Sequence, residues 1–392
     1  MRIPPARLAA LRRRLLAWWD AGHRALPWRF PQGSADPYRV WLAEVMLQQT
    51  QVRTAIPYYL RFVARFPTLA ALAAADDDEV LALWSGLGYY ARCRNLLAAA
   101  RTALARHGGL PASVEALRAL PGFGPYTAGA VAAIAFAIPA AAVDGNVARV
   151  LARLLLVAGD PSAPAVRRRL WAAAEALVAG TGRPGDLDQA LMELGATACG
   201  WPAPRCARCP VAALCEARRA GREREVPPPR RRPRRRALSL ACAVVERGDR
   251  MLLARGDARA LFGGLWGLPA VELEAGEAAP RALAAAMLRA HGLALSVGEE
   301  LASARRTLTH RDLTLVAYRC RLRSRRAAGE GLRWAAPGDL GAVGLSAAMR
   351  ALLAAVAAAP RRGALSRRAG GALRSANLPR SRIGLTRGGR NV

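Results

Sequence analysis

Lysine is absent from this 392-residue chain, and all 59 basic residues are arginine. No side-chain amine is therefore available to form an imine with a carbonyl group, which leaves the N-terminal amine as the sole candidate for such chemistry. Long apolar runs are also lacking: no stretch reaches the roughly 18–20 residues that a membrane span needs. The first twenty residues, MRIPPARLAALRRRLLAWWD, are broken by charge and hold no secretory apolar core. A cytoplasmic protein with no membrane partner is expected. Acidic residues are few, 28 against 59 basic ones, for a formal net charge of +31. An excess of this size predicts a polyanionic partner. Apolar residues make up 53% of the chain, which excludes a wholly disordered protein. The length suits two domains that bury their cores without disulfide staples.

The charge is concentrated. Arg218–Arg236 holds ten arginines, two glutamates and Pro227, Pro228, Pro229 and Pro233, a composition that no helix interior or central strand tolerates. Residues 218–236 are therefore expected to be a basic linker. Residues 359–392 contain nine arginines and no acid, and read as a disordered basic tail. Before the linker, residues 1–217 read as mainly helical. Apolar residues recur at helical spacing in Leu8–Trp19, Val40–Gln51, Val80–Leu83, Asn95–Leu104 and Ala128–Ala137. Gly/Pro breaks at Gly86, Gly108–Pro111, Pro121–Pro125 and Gly180–Gly185 separate them. After the linker, residues 237–358 change character. Leu238–Val245, Met251–Ala254 and Leu313–Tyr318 read as strands and Pro280–His291 as a helix, an α+β domain.

Three features carry chemistry. Cys199, Cys206, Cys209 and Cys215 stand in a C-x6-C-x2-C-x5-C pattern. Four thiols so close suit one metal centre, and a single short arm with two longer gaps fits a 4Fe–4S cluster better than zinc. Zinc and a pair of disulfides are the alternatives. Next, Leu120-Pro121-Gly122-Phe123-Gly124-Pro125-Tyr126-Thr127-Ala128 leads into an apolar helix. Gly122 and Gly124 permit a tight turn at a helix N-terminus, where the dipole favours a phosphate. An ordinary helix–turn–helix corner is the plainer alternative. Finally, two acids stand out. Asp144, before Gly145-Asn146-Val147, sits where an N-cap would be. Glu44 lies among Leu42, Ala43, Val45 and Met46; burial there would raise its pKa and keep it protonated near neutrality.

The runs WLAEVMLQQTQV, LWSGLGYYARCRNL, LPGFGPYTAGA and VDGNVARVL, followed by the four-cysteine loop, resemble the MutY-type adenine DNA glycosylases of the helix–hairpin–helix/endonuclease III superfamily. The resemblance covers residues 10–217, and a weaker one covers 237–358. It implies an all-α glycosylase domain with an iron–sulfur loop, its active site between a six-helix module and a cluster domain. It also implies action on double-stranded DNA that carries adenine opposite 8-oxoguanine, or opposite G or C, in a cytoplasmic, nucleoid-associated bacterial setting; a monomer is the default expectation.

By the same resemblance Glu44 is the general acid, Asp144 the second carboxylate, and Tyr126 and Asn146 support them. Arg24, Trp28, Arg29 and Glu193 would line the adenine pocket, while Gln48 and Tyr89 would enter the duplex. Breaking the bond to an unmodified adenine needs a protonated leaving group and a stabilised oxocarbenium-like sugar, on a base flipped out of its stack. Strand-cutting relatives use a lysine at the place of Tyr126; with no lysine, a monofunctional enzyme is expected.

Residues 237–358 resemble the Nudix-like domain of the same family through FGGLWGLP. Ala286, Arg289 and Ala290 stand where a Nudix hydrolase needs metal-binding glutamates, so a binding module is expected. Leu308, Thr309 and His310 take the place of the family's Phe-Ser-His lesion-reading loop, with leucine in place of the aromatic wedge. The rival readings are an endonuclease III-like pyrimidine-lesion glycosylase and a non-catalytic iron–sulfur DNA-binding protein.

Overall fold

The computed structural model describes residues 3–31, 34–229, 234–257, 261–323, 329 and 331–359. The expected tail from residue 360 onward lies outside the described residues, as do residues 230–233 of the expected linker.

The N-terminal part is helical: α1 (Pro5–Gly22), α2 (Pro37–Leu47), α3 (Val52–Arg65), α4 (Leu69–Ala73), α5 (Asp77–Trp84) and α6 (Tyr90–His107) come first. They are followed by α7 (Val114–Arg118), α8 (Pro125–Phe136), α9 (Gly145–Leu154), α10 (Pro164–Val178), α11 (Pro184–Thr197) and α12 (Glu216–Arg219). Proline opens α1, α2, α8, α10 and α11, a position where its missing N–H is no loss and its φ is already helical.

These helices gather around two cores. Trp41, Phe62, Phe66, Trp84 and Leu117 fill the first, from α2 to α8. Leu11, Leu15, Leu151, Leu170, Leu177 and Leu191 fill the second, from α1 and α9–α11. Helix α8 is buried at seven consecutive positions, Thr127–Ala133, because it packs on α2 and on α11. The approach of α11 depends on Gly185: a Cβ there would lie 2.6 Å from the Ala133 carbonyl oxygen. A cleft between the two cores is the consequence.

Two expectations need correcting. The helix expected over Val40–Gln51 ends at Leu47, and Gln49 takes a left-handed φ of 57°. The apolar periodicity stops at Leu47, and the Gln-Gln-Thr-Gln run turns the chain instead. The linker was expected to begin at 218, yet α12 crosses that point. Val226 is then buried in the second core, and its carbonyl accepts from Arg153 Nε at 2.8 Å.

The C-terminal part is a mixed sheet between helices. Its strands are β1 (Arg236–Arg247), β2 (Arg250–Arg255), β3 (Trp266–Gly267), β4 (Ala270–Leu273), β5 (Leu295–Thr307), β6 (Arg311–Leu322) and β7 (Leu332–Ala335). The spine runs β3-β2-β1-β6-β5, with β4 on β1 and β7 on β2. Strands β1 and β6 are parallel, Leu240 opposite Leu315 and Cys242 opposite Ala317. Both faces of β1 are buried, as the alternation of side chains requires. Leu238, Cys242 and Val244 meet Met349 and Leu352 of α14 (Ala347–Ala358). Ala241, Ala243 and Val245 meet Leu283 and Met287 of α13 (Ala279–His291). The two parts of the chain touch. Trp266 Nε1 donates to Asp78 Oδ2 at 3.1 Å, Arg255 pairs with the same carboxylate, and Leu265 joins the first helical core.

Candidate active site

The cleft between the helical cores holds a cavity of about 800 Å³. Nine of the residues singled out from sequence line it: Arg24, Trp28, Arg29, Glu44, Gln48, Tyr126, Asp144, Asn146 and Glu193.

Glu44 comes from α2. That helix starts at Asp36, whose carboxylate accepts from the Tyr38 and Arg39 amides, and its face is apolar. Glu44 is carried inward with that face and is 6% exposed. Burial raises its pKa to about 7; the Tyr126 hydroxyl and Arg29 pull it down, and nearby Asp144 pushes it up. Tyr126, in the first turn of α8, donates its hydroxyl to Glu44 Oε2 at 2.5 Å. Burial holds the Tyr126 pKa far above its ordinary value, so it remains a donor.

Asp144 faces the same cavity from the N-cap of α9. Its Oδ1 accepts from the Val147 amide at 2.7 Å, and its Oδ2 accepts from Asn146 Nδ2 at 2.8 Å. Burial raises its pKa, against the pull of those donors. Asn146 is held in turn by Arg149, whose Nη2 donates to Asn146 Oδ1 and to the Gly195 carbonyl, both at 2.8 Å, while its Nε donates to the Cys199 carbonyl at 2.8 Å.

On the opposite wall Glu193 of α11 is almost fully buried. It accepts from Arg24 Nε and Nη2, each at 2.7 Å, and from Arg29 Nη2 at 2.8 Å. Burial pushes its carboxyl up, but the two guanidinium groups outweigh it and the net shift is downward. Trp28 is buried edge-on against Tyr59, ring centroids 5.3 Å apart, at the margin of the cavity. Gln48 Nε2 donates to Thr127 Oγ1 at 3.2 Å.

The other candidates lie elsewhere. Gly122 has φ +75°, and a Cβ on it would sit 2.7 Å from Asn95 Cβ; the neighbouring Gly124 caps α8 with open space beside it. Leu308, Thr309 and His310 form the turn between β5 and β6. They line a second cavity, of about 480 Å³, together with Tyr89, and the Tyr89 and Thr309 hydroxyls hydrogen-bond to each other. Cys199, Cys206, Cys209 and Cys215 are unbridged and line one small cavity with Arg153, whose Nη1 lies 3.2 Å from Cys199 Sγ. The sequence reading missed Arg149, Arg92 and Met192. Nothing marks one arginine among 59 as buried, and Met192 is an ordinary helix position whose sulfur lies 3.3 Å from the Tyr126 hydroxyl.

A carboxyl that holds its proton near neutrality, facing a second carboxyl fixed by donors, can deliver a proton to one side of a substrate and stabilise positive charge on the other. The comparisons agree with a base-excision fold. The family model described as "HhH-GPD superfamily base excision DNA repair protein" matches residues 42–176, and the NUDIX domain model matches residues 240–355. The chain is 49% identical over 220 residues to the adenine DNA glycosylase of Homo sapiens, covering 54% of this chain and 40% of that protein. It is 41% identical over 319 residues to that of Rattus norvegicus, covering 69% and 62%. To that of Arabidopsis thaliana it is 36% identical over 300 residues, covering 67% and 48%. The chain thus spans between 40% and 62% of the length of these relatives. A helical HhH-GPD base-excision-repair domain is thus followed by a NUDIX domain, in a chain similar to these adenine DNA glycosylases.

Proposed function

We propose that this protein is a monofunctional DNA glycosylase that removes adenine opposite 8-oxoguanine, and opposite G or C, from duplex DNA. The observation that carries the reading is the buried Glu44–Tyr126 pair facing Asp144 across one cavity. An adenine flipped into that cavity is protonated at N7 by Glu44, and the bond from N9 to C1′ then breaks with the electron pair going to the base. Asp144 stabilises the oxocarbenium-like sugar or traps it as an ester. Water then attacks C1′ and returns a proton to the Glu44 carboxylate. Tyr126 orients Glu44, and Asn146 orients Asp144. Arg24, Arg29, Glu193 and Trp28 hold the base; Gln48 and Tyr89 fill the space it leaves. Gly122 and Gly124 take a phosphate, and Leu308, Thr309 and His310 read the base opposite.

The cysteine loop fits a 4Fe–4S cluster. Four unbridged thiols line one small cavity, a soft donor set suited to such a cluster. Cys199, Cys206, Cys209 and Cys215 would be the ligands. Through these four residues a bound cluster would tie together the loop whose Cys199 and Gly200 take the Arg149 and Arg153 contacts. Helix α13 contains no glutamate, which supports a lesion-binding and not a hydrolytic Nudix-like domain. No helix among the described residues is long and apolar enough to cross a membrane.

The test is base release from a duplex carrying adenine opposite 8-oxoguanine, with and without alkali, beside a thymine-glycol duplex. Adenine loss that becomes a strand break only after alkali supports the reading. Cleavage of thymine glycol alone supports a pyrimidine-lesion enzyme, and binding without release supports a non-catalytic protein.

A further inference from the structure

Arg92 reaches from the first turn of α6 to the end of the helix that carries Glu44. The last carbonyls of a helix have no partner within it and carry partial negative charge. At the end of α2, Arg92 Nη1 donates to the carbonyls of Val45 at 2.7 Å, Met46 at 3.0 Å and Gln48 at 2.5 Å. Its Nη2 donates to Thr50 Oγ1 and to the Gly88 carbonyl, each at 3.3 Å. Its own amide donates to the Tyr89 carbonyl at 2.9 Å, and its guanidinium lies 5.3 Å from the Tyr89 ring and 5.5 Å from that of Trp84.

The two segments joined in this way are both strained. Gln49 and Tyr89, at φ 57° and 50°, are two of four non-glycine residues in the left-handed region among the described residues. Such conformations persist only where the surroundings over-determine them. Both residues are exposed, and each lines a different cavity: Gln49 that of Glu44 and Asp144, Tyr89 that of Thr309 and His310. A lysine could not make this set of contacts, because one ammonium cannot span carbonyls on two segments as a planar guanidinium does.

Resting on the function proposed above, we infer that Arg92 is a positioning residue that locks the Gln48–Gln49 turn and the Tyr89 turn into one rigid wedge, which holds the adenine out of the duplex. Arg92 itself touches no reacting atom. Its role is to keep the extruded state populated, so its loss acts on extrusion and not on proton transfer.

Arg92→Met and Arg92→Lys are compared with the wild-type full chain by single-turnover excision on two duplexes. One carries adenine opposite 8-oxoguanine; the other carries adenine opposite an abasic site, where no partner base opposes extrusion. A third duplex, with 2-aminopurine at the target position, reports unstacking by fluorescence in the interval before the base is released. Arg92→Met is expected to slow excision at least tenfold on the paired duplex and less than threefold on the unpaired one. The 2-aminopurine signal is expected to fall in parallel, and the pH midpoint of excision to stay where it is in the wild type. Arg92→Lys is expected to recover only part of the loss. Equal slowing on both duplexes, an unchanged 2-aminopurine signal or a shifted pH midpoint overturns the inference in favour of a general structural role. Should Arg92→Met fail to fold, Arg92→Lys carries the same comparison. A wild-type protein that releases no adenine from either duplex refutes the proposed function itself, while the 2-aminopurine measurement still tests Arg92.

Discussion

Replacing Glu44 by glutamine should make the protein more stable, and by an amount that depends on pH. Glutamine is isosteric and still accepts the Tyr126 hydroxyl through its carbonyl oxygen, so the bond of 2.5 Å has a counterpart in the variant. What it removes is an ionisable group whose pKa rises from 4.5 to about 7 on folding, chiefly through burial. Each tenfold change in acid strength is worth about 1.4 kcal/mol, so this rise corresponds to about 3 kcal/mol. The sign follows from proton binding. Below about pH 4.5 the carboxyl is protonated in both folded and unfolded chains and costs nothing. Between there and pH 7 the unfolded chain gives up the proton while the folded one keeps it, and stability falls as pH rises. Above about pH 7 the cost is fully present. The measurement is the melting temperature of the helical domain in wild type and Glu44→Gln at several pH values. At roughly 2–4 °C per kcal/mol for a domain of this size, the gap between the two should widen by roughly 6–12 °C from pH 4.5 to pH 8. A gap that stays constant would refute the reading of Glu44 as a carboxyl that folds protonated. The same variant should bind duplex but release no adenine.

Asp144→Asn keeps the cap on Val147 but sets an amide nitrogen against Asn146 Nδ2, which Arg149 holds in place, so it should cost only about 1 kcal/mol. Its single-turnover excision should nevertheless fall by roughly two orders of magnitude, as expected for loss of an electrostatic stabiliser; an active Asn variant would leave Asp144 a cap and nothing more. Gly122→Ala meets both a left-handed φ and Asn95 Cβ at 2.7 Å, so it should cost about 1–2 kcal/mol and weaken duplex binding in a titration. His310→Ala, far from the acid pair, should reduce the preference for adenine opposite 8-oxoguanine over adenine opposite G without changing the rate for the latter; equal losses on both would place His310 in folding.

Much of the fold was legible because glycine and proline mark its joints. Proline begins five of the helices, and the alternation in β1 appears as a near-continuous apolar run because both faces are covered. Glu44 was legible as buried only beside the other motifs, because one acid at an apolar helix start fits a surface position equally well. The errors have physical causes. The polar Gln-Gln-Thr-Gln run marks the end of α2 locally, but the donor to its last carbonyls is Arg92, 44–47 residues further along the chain, and no local pattern records that contact. The linker boundary failed at Val226, one apolar residue among arginines and prolines. Its burial depends on Arg153, 73 positions away.

The absence of lysine changes how the net charge of +31 should be understood. Four arginines beside the site are committed inward. Arg29 pairs with Glu193 and stacks 4.7 Å over Trp19; Arg92 binds four carbonyls. Arg149 joins Asn146 to Gly195 and Cys199, and Arg153, almost wholly buried, joins Cys199 and Gly200 to Val226. Each uses the fork of donors to bridge segments that no ammonium group could span. Arg29 is paired with a carboxylate and the other three hold carbonyls, so the donors of all four are engaged within the protein and not with a phosphate. Part of the basic composition therefore builds the walls of the site, and the polyanion-binding charge must come from the exposed arginines alone. Salt dependence of duplex binding counts the phosphates actually neutralised, and it should report far fewer than the formal excess. The same guanidinium groups that make the chain look uniformly basic divide, in the structure, into cross-links and contacts.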